Sequence, residues 1–294
     1  MTGETTQHRG RTRAGAEDAP AVLITGCSSG IGRATALAAL RAGLPTWATA
    51  RRPETLADLA AAGCRTLRLD VTDEQSRLEA VRAVEAVHGA VGALVNNAGY
   101  SQIGPVEELP MDQVRQQFET NVFAPMRMCQ LVLAGMRARH HGTIVNLGSA
   151  AGLVVPPASG AYSMTKYALE ALCDALRLEV AHQGVRVVLI EPGAVRSDFM
   201  ATGWATMPTA GAEGDPYATY KANLATMVER THRPGARGVL DADVVARTVV
   251  KAITSRRPKA RYPIGGQARV APIVRRIAGD RLWDRMMDAV VSAE

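Results

Sequence analysis

Two rhythms of apolar residues alternate along most of the chain. Short apolar runs, several of them β-branched, at 21–25, 45–50, 65–69, 91–96, 142–147 and 185–190 read as strands. Between them, 31–42 and 53–62 carry good helix formers, and 73–88 puts Leu78, Val81, Val84 and Val87 on one helical face. Residues 111–139 are a long helical stretch in which Pro125, having no N–H, predicts a kink. Residues 161–183 form a second long helix, stopped by Gly184 at a C-cap position. Alternation of this kind predicts an α/β fold: a doubly wound parallel sheet (Rossmann fold) of about seven strands, with helices on both faces.

The rhythm fails in two places. Residues 1–19 contain no Val, Leu, Ile or Phe and read as a disordered tail, without the apolar core of a secretory signal. Residues 20–294 read as a single domain whose segment 198–238 is looser, with a helix over 217–230. That segment is expected to be a lid over the carboxyl edge of the sheet. Beyond it, Asp241 is placed to cap a helix reaching 255, followed by a strand at 261–264 and a terminal helix over 270–291.

Composition narrows the function. The net charge is +6, but ten Lys/Arg against two Asp between 251 and 285 account for +8, which leaves −2 elsewhere. A basic stretch confined to one end argues against nucleic-acid binding. Cys27, Cys64, Cys129 and Cys173 are scattered, and the six histidines show no HxxxH or HExxH spacing, so neither a disulfide framework nor a metal site is expected. The chain reads as cytoplasmic, with a small molecule rather than nucleic acid as its partner.

The first strand runs into Thr25-Gly26-Cys27-Ser28-Ser29-Gly30-Ile31-Gly32, and the first helix follows. Glycines at these points let the backbone approach a pyrophosphate, and the helix N-terminus offers it free N–H groups and partial positive charge. Folds that prefer NAD place an acid about 20 residues on, for the ribose 2′-hydroxyl. Here the second strand ends at Arg51 and Arg52, and guanidinium suits a 2′-phosphate. NADP is therefore the expected cofactor, with NAD as the other option. Ser29 can add a hydroxyl contact. Asp70-Val71, at the end of the third strand, can meet the adenine.

Tyr162 and Lys166 lie four residues apart on the second long helix, on one face. A nearby ammonium favours phenolate, so the expectation is a lowered phenol pKa and a tyrosine able to exchange protons with a carbonyl or alcohol oxygen. Ser149, just after a strand, can donate to that oxygen. Asn96-Asn97-Ala98-Gly99 ends another strand at the same edge, and Asn121 lies in the preceding helix.

With these residues in place the chain resembles a short-chain dehydrogenase/reductase of the compact single-domain kind. The matching segments are TGCSSGIG (25–32), LDV (69–71), NNAG (96–99), Asn121, Ser149, YSMTK (162–166) and EPGAVRSD (191–198). The resemblance implies Tyr162 as acid/base. It implies that Lys166 lowers the tyrosine pKa and holds the nicotinamide ribose, that Ser149 orients the substrate oxygen, and that Asn121 holds a relay water. It assigns Asn97, Ala98 and Gly99 to the cofactor wall and Pro192, Gly193 and Val195 to the nicotinamide side. It further implies a homodimer or homotetramer built on the helices at 111–139 and 161–183. ATARRPE (48–54) and RYPIGGQAR (261–269) are similar to the hydroxysteroid- or retinol-dehydrogenase-like branch. Ser29 departs from the basic residue that many NADP-preferring members carry before the second glycine, which leaves Arg51 as the main phosphate ligand.

On the substrate side, Met200, Trp204, Met207, Tyr217, Tyr220 and Met227 populate the lid, and Leu153, Val154 and Val155 follow Ser149. No Lys or Arg lies between Gly152 and Thr165, so the expected substrate is a neutral, fairly apolar carbonyl or secondary alcohol. The alternative is a non-catalytic dinucleotide-binding sensor on the same fold, which would have no need of the Tyr/Lys pair. In the C-terminal stretch, Val270, Ile273, Val274, Ile277 and Leu282 lie beside Arg269, Arg275, Arg276 and Arg281. The expectation there is a helix packed on the domain or on a partner subunit with a solvated basic rim, rather than one lying on a membrane.

Overall fold

The computed structural model describes residues 19–208, 214–232 and 238–292. The predicted tail, residues 1–18 in particular, lies outside the described residues, as do 209–213 and 233–237 of the lid.

In chain order the elements are β1 (Val22–Ile24), α1 (Gly30–Arg41), β2 (Thr46–Ala50), α2 (Ala57–Ala61), β3 (Arg65–Arg68), α3 (Glu74–His88), β4 (Ala93–Asn96), α4 (Met111–Phe118), α5 (Ala124–Ala138), β5 (Gly142–Leu147), α6 (Gly160–Val180), β6 (Val185–Pro192), β7 (Val195–Arg196), α7 (Asp198–Trp204), α8 (Ala218–His232), β8 (Leu240–Asp241), α9 (Ala242–Thr254), β9 (Arg261–Ile264) and α10 (Gly266–Ser292).

Seven strands form one parallel sheet in the order β3-β2-β1-β4-β5-β6-β9. The order reverses between β1 and β4, and that switch point is where open α/β sheets leave a crevice at the strand carboxyl ends. Every residue of β1, β2, β4 and β5 is buried. Such strands must be apolar on both faces, which accounts for their continuous apolar runs. Two cores result. Leu23, Leu94, Ile144 and Leu189 pack with α3, α5 and α6 on one face. Ile24, Val95, Val145 and Ile190 pack with α1 and α9 on the other.

Three elements differ from the sequence reading. The helix predicted at 53–62 begins as a 3-10 turn, Pro53–Leu56, before α2. The kink predicted at Pro125 falls upstream of it, where Glu119–Phe123 winds as a π-helix between α4 and α5. Pro125 has no N–H to offer the carbonyl four residues back, that of Asn121, and the backbone widens there, with Ala124 N donating to Glu119 O. The lid is more ordered than its composition suggests. It contains α7 and α8, and its base is pinned by the two-stranded pair β7-β8, which the sequence reading missed.

Candidate active site

Four loops meet at the carboxyl edge. The turn after β1 is held in shape by β4: Asn97 Nδ2 donates to the carbonyls of Thr25 and Gly26, both at 2.9 Å. The Thr25 hydroxyl accepts from the backbone N–H groups of Asn97 and Ala98 at 3.0 and 2.9 Å. Thr25 was not singled out in sequence because hydroxyls at turns are common; here it fastens two loops. The Asn97 side chain is thereby spent on the scaffold.

Close approach explains two glycines. At Gly26, with φ +71°, a Cβ would lie 2.9 Å from Ala98 Cα; at Gly32 it would lie 2.2 Å from the Gly26 carbonyl oxygen. The turn is therefore a tight cradle at the N-terminus of α1. Ser28 and Ser29 are exposed there, and the Ser29 side chain makes no capping bond. Gly30 and Ile31 follow, half-buried, and a Cβ on Gly30 would reach Ser197 Cβ at 3.3 Å. That contact brings the end of β6 and its continuation, with Pro192, Gly193 and Val195, over the α1 N-terminus. Gly193 N donates to Ile264 O at 2.9 Å.

At the β2–β3 end, Arg51 is exposed and Val71 is buried. Burial raises the Asp70 carboxyl, but hydrogen bonds from Thr72 and the charges of Arg51 and Arg68 outweigh it, and the net shift is downward. Arg51 thus sits within electrostatic range of Asp70. From β2 across β1, β4 and β5 to β6 is four strand spacings, roughly 19 Å, the reach of an extended dinucleotide.

At the other end, Ser149 follows β5, and its hydroxyl lies near enough to the Tyr162 phenol to favour the ionised form. That hydroxyl oxygen accepts from Ala151 N at 3.1 Å. Lys166 Nζ lies 5.6 Å from the centroid of the tyrosine ring and donates to Leu147 O at 2.6 Å. The expected lowering of the phenol pKa is not seen. Burial pushes Tyr162 up to about 12, opposed by the Ser149 hydroxyl, and burial pulls Lys166 down to about 8. The ammonium is aimed at a carbonyl rather than at the phenol oxygen.

Asn121 comes from the π segment. Its Oδ1 accepts from Tyr100 N at 3.1 Å, and its Nδ2 donates to Tyr100 O at 2.8 Å and Thr165 Oγ1 at 3.1 Å. Its side chain therefore braces α6 one residue before Lys166. Phe199 of α7, also missed in sequence, sets its ring edge against Tyr162 at 5.6 Å. A profile of the family described as short chain dehydrogenase matches residues 20–207.

The chain belongs to the short-chain dehydrogenase/reductase family.

Its relatives include an NADPH-dependent 3-dehydrocapnine reductase of Ornithobacterium rhinotracheale, 32% identical, with 90% of this chain and 94% of the relative covered. A short-chain dehydrogenase structure from Streptomyces avermitilis is 33% identical, covers 93% of both chains and superposes with a TM-score of 0.72. A short-chain dehydrogenase/reductase from Burkholderia phymatum in complex with NAD is 26% identical, with 90% and 95% covered and a TM-score of 0.74. The chain is an NAD(P)-dependent oxidoreductase acting on CH–OH or C=O groups. The chemistry of the glycine turn and the α1 N-terminus fits that cofactor's pyrophosphate, since no side chain can stand at Gly26 or Gly32 and the first N–H groups of the helix favour an anion.

The lid closes on this edge through polar contacts. Lys221 of α8 is buried and pairs with Glu108 at 2.7 Å and Asp215 at 3.0 Å. The Tyr220 hydroxyl accepts from Ala158 N at 2.9 Å, and Tyr217 donates to Glu107 at 2.6 Å. Val155, Tyr217, Tyr220, Trp283 and Met287 line an open groove of about 770 Å³ whose lining does not include Ser149, Tyr162 or Lys166. Met207 and Trp204 are half-buried, while the Met200 side chain lies outside the described residues.

Proposed function

We propose that this dehydrogenase/reductase works with NADP(H) on a neutral, fairly apolar ketone, aldehyde or secondary alcohol, with Tyr162 as the proton-transferring residue. The observation that carries this reading is the placement of the Ser149 hydroxyl near the Tyr162 phenol, with Lys166 one helical turn away and its Nζ 5.6 Å from the tyrosine ring. Ser149 orients the substrate oxygen against the phenol. A phenol held near 12 keeps its proton at neutral pH, the form needed to donate to a carbonyl oxygen during reduction. Lys166, tied to Leu147, holds α6 in place and offers its remaining ammonium protons to the nicotinamide ribose. Asn121 positions α6 through Thr165.

Gly26, Ser28, Ser29, Gly30, Ile31 and Gly32 would hold the pyrophosphate, Arg51 the 2′-phosphate, Asp70 and Val71 the adenine, and Pro192, Gly193 and Val195 the nicotinamide side. The cofactor supplies or accepts the hydride at the substrate carbon. The relative named as an NADPH-dependent reductase supports NADP(H) and the reductive direction. The absence of basic side chains from 152 to 165 supports a neutral substrate. The exposed apolar side chains Phe123 in the π segment, Met126 on α5, and Met164 and Leu178 on α6 support a homodimer or homotetramer built on the helices at 111–139 and 161–183.

The test is Tyr162→Phe. Turnover across a panel of steroid, retinoid and quinone-like carbonyls is expected to fall about 100-fold or more, while NADPH affinity by fluorescence titration stays within a few fold. Retained turnover would remove the proton-transfer assignment.

A further inference from the structure

We infer that the first half of α10 is a peripheral docking surface for anionic phospholipid membrane. The sequence reading expects this helix packed on the domain or on a partner subunit, and Ala268, Trp283 and Val291 are buried. Between Ala268 and Gly279 no further residue is buried. Val270, Ile273 and Ile277 are 56%, 59% and 81% exposed. They are spaced three and four residues apart, hence on one face. Isolated exposed aliphatics need no explanation, but three in a row along one helix face form a patch that a soluble surface seldom leaves open.

The charge around the patch is one-sided. Arg269, Arg275 and Arg276 lie within this half, and no Asp or Glu occurs from 266 to 279. The acids of the helix, Asp280, Asp284 and Asp288, come after Gly279, whose φ of 69° and ψ of 171° break the helix. Arg275 reaches Tyr167 at 3.3 Å and lies 4.0 Å from Asp280, and Arg269 donates to Pro263 O at 3.0 Å. These bonds fix the helix to the body of the protein and hold the aliphatic face outward. Arg276 and Arg281 are exposed and make no ion pair among the described residues, and Leu282 and Met286, past the break, are exposed as well.

An aliphatic strip with an arginine rim suits a bilayer interface: side chains enter the acyl boundary while guanidinium groups meet lipid phosphates. A second copy of the chain is the competing occupant of this face, and oligomer mass separates the two. Among the described residues no helix is long and apolar enough to cross a membrane, so the contact is peripheral.

The experiment is vesicle flotation of the full chain with phosphatidylglycerol-containing vesicles against pure phosphatidylcholine. Binding is expected to the anionic vesicles only and to weaken with salt. Ile273→Asp/Ile277→Asp should abolish it, and Arg276→Gln/Arg281→Gln should weaken it by about fivefold per arginine. Because these four side chains are exposed, the variants should keep the thermal midpoint and NADPH affinity of the parent. No binding to anionic vesicles, or binding that survives the double aspartate variant, overturns the inference. So does a drop in oligomer mass by light scattering in that variant, which would assign the face to a second copy.

Discussion

Lys166 Nζ donates to the Leu147 carbonyl at 2.6 Å, so the helix that carries Tyr162 is tied to the strand that leads to Ser149. Ser149 stands two residues past that strand, with its hydroxyl near the Tyr162 phenol. The tie between β5 and α6 leaves the serine and the phenol little freedom to drift apart, as the proposed proton transfer requires. Buried and directed at a carbonyl, the lysine acts on the site through position as well as charge.

Arg51 governs the choice of dinucleotide in the reading above. Arg51→Asp removes the guanidinium and adds a carboxylate near Asp70, which repels a 2′-phosphate but can accept from a 2′-hydroxyl. NADPH affinity is expected to fall about 10- to 100-fold, with NADH affinity unchanged or improved. Parallel fluorescence titrations measure the ratio; an unchanged ratio would place the phosphate elsewhere.

Asn121 is 1% exposed and makes three hydrogen bonds, two of them to the backbone of Tyr100. Asn121→Ala leaves the buried Tyr100 N–H without that acceptor, although Gln117 still donates to the Tyr100 carbonyl. A loss of about 1–3 kcal/mol in stability is expected by denaturant titration, together with reduced turnover as α6 loosens. An unaltered midpoint would show that water replaces the amide at no cost.

Lys221 pairs with two carboxylates brought from different segments, Glu108 and Asp215. Lys221→Met removes the cation and leaves the two acids facing each other. The lid should then close less readily. KM is expected to rise severalfold with a smaller change in kcat, because the proton-transfer residues are untouched. A fall confined to kcat would argue that α8 does not gate substrate entry.

Glu191 gives a pH prediction. Burial and the nearby Asp174 carboxylate push it up from 4.5 to about 7, even with Arg261 at 3.1 Å. Between those values the unfolded chain releases a proton that the folded chain keeps, so this group lowers stability as pH rises from about 4.5 to 7. The penalty is complete above pH 7, at about 1–3 kcal/mol. Glu191→Gln should therefore be more stable than the parent above pH 7, with the difference shrinking in acid. Thermal midpoints across this range test it, and a pH-independent difference would contradict it.

Much of the fold was legible because buried parallel strands need continuous apolar runs. Residues 142–147 and 185–190 stood out on that ground, and β5 and β6 lie there. The glycine-rich turn was legible because contacts as short as those at Gly26 and Gly32 exclude any side chain. Other features carried no local signal. The pair β7-β8 joins two dipeptides more than 40 residues apart, too short for any periodicity. The loop-fastening role of Thr25 depends on β4 ending beside β1. The Phe199–Tyr162 contact depends on how α7 folds over the edge.

The chain order of residues was enough to specify the class of fold, the tight glycine turn and the set of polar groups at the sheet edge, because each follows from local pattern or backbone sterics. The direction of the Lys166 ammonium and the rise rather than fall of the tyrosine pKa were decided in three dimensions, as was the outward turn of Val270, Ile273 and Ile277. These depend on burial and on which carbonyl, carboxylate or helix packs opposite, and those partners come from segments distant in sequence.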